Sequence, residues 1–180
     1  MGTVLLGVTG SIAAYKAADI ANQLAKRSLA VDVVMTQGAC RFITPLTFQS
    51  LTKRKVYTEL FEEYVPSSVQ HISLAKRADL CLIAPATANF IGKLAGGIGD
   101  DLLTTVMMAV QGVPVYICPA MNTNMYFNPI VQENIRRLES DGYRFIEPKE
   151  SLLACGDLGK GALADVDLIV NTALRSLGAQ

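Results

Sequence analysis

Apolar positions along the chain follow two alternating patterns: short β-rich runs and longer segments with helical spacing. The short runs predict strands at Thr3–Val8, Ala30–Thr36, Leu80–Ala84, Val113–Cys118 and Tyr143–Ile146. The longer segments predict helices at Ser11–Lys26, Pro45–Leu51, Ala88–Leu94, Leu102–Val110, Pro129–Ser140 and Val166–Ser176. Strands that alternate with helices in this way form right-handed crossovers. The pattern therefore predicts a doubly wound, Rossmann-like α/β fold, with a mainly parallel sheet and helices on both faces.

Two stretches lack either pattern, Glu62–Val69 and Glu147–Ala164, and the second is rich in Gly, Asp and Lys. Neither has the composition of a linker, and we find no internal repeat or low-complexity segment. A chain of 180 residues is also about the size of one domain. We therefore expect residues 1–180 to form a single domain.

The composition excludes several classes of protein. The 16 Lys and Arg residues balance 16 Asp and Glu residues, and there is no basic run, so we expect no nucleic-acid binding. Glycines, prolines and charges interrupt every apolar stretch before it reaches the roughly 20 residues that span a bilayer, so we expect a cytoplasmic protein without membrane contact. The hydrophobic fraction is high, at 51%, and this favours subunit contacts.

The cysteines do not form a metal-binding or disulfide pattern. Cys40, Cys81, Cys118 and Cys155 lie far apart, and His71 is the only histidine. Because no C-x-x-C pair is present, we expect neither a zinc site nor a disulfide framework. Cys81 and Cys118 lie in predicted strands and are expected to be inert core residues.

The first predicted strand is followed by a loop of the kind that binds phosphate, Gly7-Val-Thr-Gly-Ser-Ile-Ala-Ala-Tyr-Lys16. Gly10 allows close approach, and Ser11 can cap a helix whose first N–H groups point outwards. The dinucleotide fingerprint is absent, because it needs G-x-G-x-x-G and an acidic residue where Met35-Thr36 stands. We therefore expect a mononucleotide phosphate; the alternative is an ordinary strand-to-helix turn.

Further polar residues converge on the same edge of the predicted sheet. Thr36, Thr44 and the loop Pro85-Ala-Thr-Ala-Asn-Phe90 bring hydroxyl and amide groups there. Ligands of open α/β sheets bind at the carboxyl ends of the strands. Several polar groups at this edge therefore favour a ligand pocket.

His71 and Asn122 are candidates for chemistry. His71 lies just before a short helical run, Ile72–Arg77, and is the natural base near neutral pH; the alternative is a surface or helix-start histidine. Asn122 lies in Pro119-Ala-Met-Asn, and its amide can donate to a carboxylate; the alternative is a turn asparagine satisfied by its own backbone. Its neighbour Met121 has the properties of a packing residue.

Cys155 lies at the head of a loop that contains three glycines and Lys160. The lysine favours a thiolate, and the glycines suit a flexible flap that closes over substrate and excludes water. The alternative is an incidental thiol in a mobile loop.

Six motifs occur in one order along nearly the whole chain. They are Gly-Ser-Ile-Ala-Ala-Tyr-Lys at 10–16, Phe-Ile-Thr-Pro-Leu-Thr-Phe-Gln-Ser at 42–50, His71, Pro-Ala-Thr-Ala-Asn at 85–89, Pro-Ala-Met-Asn at 119–122 and Ala-Cys-Gly at 154–156. With these motifs the chain resembles the homo-oligomeric flavin-containing cysteine decarboxylases. The resemblance implies that FMN lies at the subunit interface of a trimer, which in some members assembles into a dodecamer.

The resemblance also implies an activity, the decarboxylation of phosphopantothenoylcysteine to phosphopantetheine in coenzyme A biosynthesis. The cysteinyl group is oxidised transiently to a thioaldehyde, carbon dioxide leaves, and the same flavin reduces the product again. His71 is then the base, Asn122 grips the substrate carboxylate and Cys155 donates the last proton. Because the chain ends at Gln180, we expect no fused synthetase domain and a separate synthetase that supplies the substrate.

The resemblance assigns further residues to two groups of contacts. The expected FMN contacts are Gly10, Ser11, Ile12, Thr36, Thr44, Thr87, Ala88, Asn89 and Ala120. The expected substrate contacts are Met121, Asn122, Ala154, Gly156 and Lys160. Many relatives have arginine in the flap where this chain has Ala162, so that contact is not expected here.

Three other functions share parts of this pattern. A peptidyl-cysteine decarboxylase of lantibiotic maturation shares the flavin, the histidine and Pro-x-Met-Asn, but the Ala-Cys-Gly flap favours the coenzyme A enzyme. A flavin prenyltransferase binds FMN on a similar fold and does not need Asn122 and Cys155. A flavin-binding regulatory subunit need not keep His71, Asn122 and Cys155 together, whereas this chain does.

Overall fold

A six-stranded parallel sheet forms the centre of the protein. The computed structural model describes residues 2–61, 69–154, 156 and 158–178. The strands of the sheet are β1 (Thr3–Val8), β2 (Ala30–Met35), β3 (Val56–Tyr57), β4 (Leu80–Ala86), β5 (Val115–Pro119) and β6 (Arg144–Phe145). Their order is β3-β2-β1-β4-β5-β6, and each neighbouring pair is parallel. The order reverses between β1 and β4, as in doubly wound folds.

Helices cover both faces of this sheet. In the described part of the chain they are α1 (Ala14–Lys26), α2 (Gln37–Cys40), α3 (Pro45–Thr52), α4 (Gln70–Arg77), α5 (Ala88–Ala95), α6 (Leu102–Ala109), α7 (Thr123–Tyr126), α8 (Pro129–Ser140) and α9 (Val166–Ser176). Buried residues of α1, α3 and α9 pack on one face, and those of α4, α5, α6 and α8 on the other. Every residue of β4 is buried, because a parallel sheet is apolar on both faces. The predicted fold class is confirmed.

The predicted strands and helices are present, with shifts at their ends. α1 begins at Ala14 rather than Ser11, because residues 11–13 form a turn in which the Ala14 N–H donates to the Ser11 carbonyl, 2.9 Å away. β5 begins at Val115 rather than Val113, because Pro114 has no N–H to donate to the neighbouring strand β4. Its carbonyl still accepts from the Cys81 N–H at 3.0 Å. The elements α2, β3 and α7 were not predicted, since they are too short to show a period.

The stretch Glu147–Ala164 corrects the sequence analysis, because it is not irregular throughout. β7 (Lys149–Leu152) and β8 (Leu158–Ala162) pair antiparallel as a hairpin outside the main sheet. The hairpin is attached to the segment before α7, where the Met121 N–H donates to the Gly161 carbonyl at 2.9 Å. Glycines in β8 hid this strand from pattern analysis, since glycine is depleted in strands.

The residues that were expected to be inert are buried in the sheet. Cys81 in β4 and Cys118 in β5 are both 0% exposed. Burial raises the pKa of the Cys81 thiol to about 12 and also raises the pKa of Cys118, so both thiols stay protonated. Among the described residues, no group of three or more His, Cys, Asp or Glu side chains lies close enough to hold a metal ion. In the same part of the chain, no helix has the length and apolar character to cross a membrane.

A buried carboxylate joins β2 to β3 and to the end of α4. Asp32 on β2 is 2% exposed, and its oxygens accept from Arg54 at 2.8 Å and Arg77 at 2.5 Å. Arg77 also donates to the Tyr57 hydroxyl on β3 at 3.0 Å. A carboxylate is buried without a large penalty only when such donors replace its water. The cluster therefore holds α4 against the edge of the sheet.

We expect removal of the two arginines to destabilise the protein more than removal of the carboxylate. The double variant Arg54→Met, Arg77→Met leaves Asp32 buried without partners and should lower the free energy of unfolding by about 3 kcal/mol. Asp32→Val leaves arginines that are 40% and 39% exposed and can be solvated. Its loss should therefore be about 1 kcal/mol or less. Urea unfolding followed by circular dichroism measures both, and a larger loss for Asp32→Val contradicts this account.

Candidate functional site

A cleft of about 900 Å³ opens at the carboxyl ends of β1, β2, β4 and β5. It lies where the strand order reverses, so that the loops after β1 and β4 diverge on its two sides. Its lining comes from the segments 9–16, 36–38, 87–90 and 120–125, from Asp101 and from the β7–β8 hairpin. This volume suits a cofactor together with a small substrate.

Two of these loops meet backbone to backbone. A Cβ atom on Gly10 would lie 3.0 Å from the Cα and the carbonyl carbon of Gly38, which is tighter than most Cβ contacts, and the neighbouring atoms are backbone atoms. Glycine is therefore needed at Gly10, in the loop between β1 and α1. Within the described residues, the N–H groups of Gly10 and Ile12 have no hydrogen-bond partner. Such N–H groups before a helix are suited to phosphate.

Three hydroxyl groups in the cleft accept a hydrogen bond from the fold and keep their own proton. The acceptor contacts run from the Ala13 N–H to Ser11 Oγ (3.2 Å), from the Ala39 N–H to Thr36 Oγ1 (3.2 Å) and from the Phe90 N–H to Thr87 Oγ1 (3.3 Å). A hydroxyl that accepts in this way still has one O–H donor. None of the three donates to another residue that the structure describes. The cleft thus offers convergent donors to the oxygen atoms of a ligand.

Thr9 joins the loops that follow β1 and β4. Thr9 is 1% exposed; its Oγ1 donates to the Pro85 carbonyl at 2.7 Å and accepts from the Thr87 N–H at 3.0 Å. Pro85 lies in the irregularity of the β4–β5 register between Ile83 and Ala86, where backbone groups need partners outside the sheet. The Thr9 hydroxyl therefore positions the loop after β1 against the start of α5.

Asn122 and the β7–β8 hairpin line another side of the cleft. Asn122 precedes α7, and its Oδ1 accepts from the Asn124 N–H at 2.8 Å. The donor end of this amide, its NH2 group, is the end suited to a carboxylate. On β8, a Cβ atom at Gly161 would overlap the Met121 carbonyl oxygen. Glycine is therefore needed at this position for close packing of the hairpin, while the flexible flap stays a prediction.

Most residues that the resemblance assigned to FMN line the cleft. They are Gly10, Ser11, Ile12, Thr36, Thr87, Ala88, Asn89 and Ala120. Of the expected substrate residues, Met121, Asn122 and Ala154 line it as well. Their convergence is a property of the fold, whereas their binding roles stay predictions.

Two other residues of the predicted flap do not line the cleft. Lys160 forms an ion pair with Glu147 at 2.5 Å, and its Nζ lies 5.7 Å from the centroid of the Tyr126 ring. Gly156 lies in the turn of the hairpin, where its N–H donates to the Leu153 carbonyl at 2.8 Å. The predicted proton donor, Cys155, lies outside the described residues.

His71 and Thr44 also lie away from the cleft of their own chain. His71 is half-buried in the first turn of α4, a helix that packs on the same face of the sheet as α6. Thr44 precedes α3, and its hydroxyl lies 3.4 Å from that of Thr47. One chain therefore brings Asn122, but not His71, to the cleft.

The sequence analysis did not single out several residues of the lining, namely Thr9, Lys16, Gln37, Gly38 and Asp101. Asp101 caps α6, and its Oδ1 accepts from the Thr104 N–H at 2.8 Å. The spacing Asp-x-x-Thr before an apolar run is a signal for such a cap. No local signal, however, places the start of α6 beside the cleft.

The sheet order, the position of the cleft and its donors define an α/β protein of the nucleotide-binding, doubly wound type. The chain belongs to the Flavoprotein family, whose model matches residues 2–178. It is 53% identical over 168 residues to the probable phosphopantothenoylcysteine decarboxylase of Streptococcus mutans, and the match covers 93% of this chain and 94% of that protein.

Solved structures with the same fold are similar over the whole chain. One is a mutant PPC decarboxylase complexed with pantothenoylaminoethenethiol, with a TM-score of 0.88, 32% identity and coverage of 99% of each chain. Another is the FMN-dependent cysteine decarboxylase SpaF, with a TM-score of 0.86 and 33% identity, covering 99% of this chain and 98% of that one. The family name refers to flavin proteins, and SpaF is described as FMN-dependent.

Some curated relatives are much longer than this chain. It is 53% identical over 170 residues to the coenzyme A biosynthesis bifunctional protein CoaBC of Bacillus subtilis, and it spans 42% of that protein's length. The match therefore lies within one part of a protein with two functions.

The Thr9 hydroxyl should contribute measurably to stability. Thr9→Val keeps the shape of the side chain but leaves the Thr87 N–H without a partner, and the Pro85 carbonyl then accepts only from the Thr9 N–H, 3.3 Å away. It should lower the free energy of unfolding by about 1–3 kcal/mol. Thr9→Ser retains the hydroxyl and should lose about 1 kcal/mol or less. Urea unfolding of both variants tests the assignment, and equal losses contradict it.

Proposed function

We propose that this chain is an FMN-dependent decarboxylase that converts phosphopantothenoylcysteine to phosphopantetheine in coenzyme A biosynthesis. The observation that carries the proposal is the cleft, where the donors of Ser11, Thr36 and Thr87 converge with the amide of Asn122. The Streptococcus mutans relative, whose length the chain nearly matches, is named for this activity. The PPC decarboxylase neighbour, with its bound pantothenoylaminoethenethiol, supports the same class of substrate.

The residues of the cleft fit FMN. The unpaired N–H groups of Gly10 and Ile12 and the Ser11 hydroxyl would hold the phosphate, and the exposed apolar surface of Met125 and Leu152 suits the ring. When bound, FMN supplies a two-electron acceptor and donor, so the net reaction consumes no external reductant. The name of SpaF, an FMN-dependent enzyme, supports this choice of flavin.

The chain's own residues would orient the substrate and move its protons. The NH2 group of Asn122 would hold the carboxylate without a positive charge that would stabilise it against loss of carbon dioxide. The hairpin β7–β8 lines the cleft and would exclude water from it. His71 would take a proton as the cysteinyl group is oxidised to a thioaldehyde. Cys155 would return a proton when the product is reduced.

A homo-oligomer is part of the proposal, because one chain does not bring all of these groups together. His71 and Thr44 do not line the cleft of their own chain, so a second copy would have to supply them. Phe42 and Leu46, which flank Thr44, are 51% and 68% exposed and offer apolar surface for such a copy. We propose a trimer, alone or assembled into a dodecamer.

Residues 1–180 would act as the decarboxylase unit, with substrate supplied by a separate synthetase. The Streptococcus mutans relative, 94% of which the match covers, has a name that refers to the decarboxylase alone, and this supports the assignment. The alternative substrate is a peptide with a C-terminal cysteine, since SpaF is also a cysteine decarboxylase.

Anaerobic incubation of the purified chain with phosphopantothenoylcysteine tests the proposal, with flavin absorbance and product mass followed together. We expect a yellow protein that releases FMN on denaturation and yields phosphopantetheine and carbon dioxide. A yellow protein that is inert with this compound but decarboxylates a cysteine-ending peptide supports the alternative substrate. A colourless protein that does not bind FMN contradicts both.

Mixed oligomers test whether His71 acts in the cleft of a neighbouring copy. His71→Asn and Asn122→Asp should each be inactive when expressed alone. Coexpression of the two variants forms some sites from an intact cleft and an intact histidine, about a quarter of all sites for random mixing. Turnover should recover to about that fraction. Recovery to less than a few per cent of the unaltered protein, with mixed oligomers verified by mass, would exclude a histidine shared between copies.

A further inference from the structure

The charged residues of the cleft are few and have different roles. Among its described lining residues, Lys16 is the only cation and Asp101 the only anion. The Asp101 carboxylate is engaged in the fold, since Oδ1 accepts from the Thr104 N–H at 2.8 Å and Oδ2 lies 3.7 Å from Lys93 Nζ. Lys16 is therefore the charge available to a ligand.

Lys16 lies close to the loop that is suited to phosphate. It is the third residue of α1, and this helix directly follows the loop of residues 10–13. Long side chains of a helix extend towards its N-terminus, so the side chain of Lys16 can reach this loop, and it lines the cleft. Lys16 also lines a neighbouring groove of about 440 Å³, so it lies at the border between the cleft and that groove.

The carboxylates of the neighbouring groove already have partners. Asp165 forms an ion pair with Lys149, while Gln23 Nε2 lies 3.5 Å from Asp19 and 3.3 Å from Asp167. Lys16 forms no ion pair with any residue in the described ranges, and its Nζ lies 5.8 Å from the centroid of the Tyr15 ring. Lys149 and, more weakly, Lys16 lower the pKa of Asp165, but Lys16 is not held in a close ion pair with it.

The same three carboxylates restrict where an anion can bind. Asp19, Asp165 and Asp167 line the groove on the far side of Lys16 and repel a phosphate dianion there. On the cleft side, the N–H groups of Gly10 and Ile12 and the Ser11 hydroxyl are donors. Attraction and repulsion therefore both direct a phosphate to the cleft side of Lys16.

We infer that Lys16 recognises a phosphate monoester in the cleft and makes this protein selective for phosphorylated ligands. The inference rests on the proposed function, which provides two sources of such a group, the phosphate of FMN and the terminal phosphate of phosphopantothenoylcysteine. A charge-assisted contact of an ammonium group with phosphate is stronger than a neutral hydrogen bond. Loss of the Lys16 charge should therefore weaken the binding of phosphorylated ligands more than that of their unphosphorylated forms.

The test compares Lys16→Met with the unaltered protein and with Lys26→Met, which removes an exposed lysine from the last turn of the same helix. Dissociation constants for FMN and for riboflavin are measured by flavin fluorescence, and KM is measured for phosphopantothenoylcysteine and for its dephosphorylated form. Circular dichroism checks that each variant is folded. Lys16→Arg serves as the conservative variant.

If the FMN phosphate is the ligand, Lys16→Met should raise the Kd for FMN by about tenfold or more and leave the Kd for riboflavin within about twofold. If the substrate phosphate is the ligand, the KM for the phosphorylated compound should rise by a similar factor and that for the dephosphorylated one should not. Lys26→Met should change neither the ratio of the Kd values for FMN and riboflavin nor the ratio of the KM values for the two forms of the substrate. Lys16→Arg should retain most of the preference for the phosphorylated ligand.

If Lys16→Met changes neither the Kd ratio of FMN to riboflavin nor the KM ratio of the two forms of the substrate, the inference is overturned, even where it weakens the binding of both members of a pair equally. Failure of the unaltered protein to bind either flavin is a different result, because it would overturn the proposed function itself.

Discussion

The reversal of strand order between β1 and β4 is the constraint on which the candidate site depends. Helices that follow these two strands must pack on opposite faces of the sheet, so the loops after β1 and β4 separate and leave a cleft between them. The Thr9 hydroxyl holds the two loops together at their bases, with hydrogen bonds to the Pro85 carbonyl and the Thr87 N–H. Without this hydroxyl, the Thr87 N–H at the end of β4 would lose its partner, and the Pro85 carbonyl would keep only the hydrogen bond from the Thr9 N–H.

The side chains that cap the starts of the helices also supply hydroxyl groups to the cleft. Thr36 and Thr87 cap α2 and α5 through their hydroxyl oxygens, and Ser11 accepts from the turn before α1. Each oxygen satisfies a backbone N–H that the helix leaves without a partner, while the hydroxyl proton stays available. Local folding and the proposed recognition of a ligand would therefore require the same residue types at these positions. Only a side chain that has both a lone pair and a proton, such as a hydroxyl, can fill both roles.

The hairpin β7–β8 gives the cleft a wall that the parallel sheet cannot provide. It is attached by the hydrogen bond between the Met121 N–H and the Gly161 carbonyl, and a Cβ atom at Gly161 would prevent this approach. The hairpin and Asn122 are therefore positioned with respect to each other by direct packing. His71 is connected to the sheet in another way, through α4 and the Asp32 cluster, and it lies away from its own cleft. The proposed chemistry consequently depends on association of copies.

The sequence alone determined the fold class, because long apolar runs with β and helical periods can be satisfied only by a parallel sheet covered on both faces. It also indicated most of the cleft lining, since Gly10, Ser11, Thr36 and Thr87 directly follow strands and must lie at the carboxyl edge. Short elements such as α2, β3 and α7 carry too few residues to show a period. The position of His71, the packing of the hairpin, the bridging role of Thr9 and the place of Lys16 at the border of the cleft were decided only by the tertiary structure. They result from contacts between segments that are distant in the chain, such as Thr9 and Pro85, and no local pattern encodes such a contact.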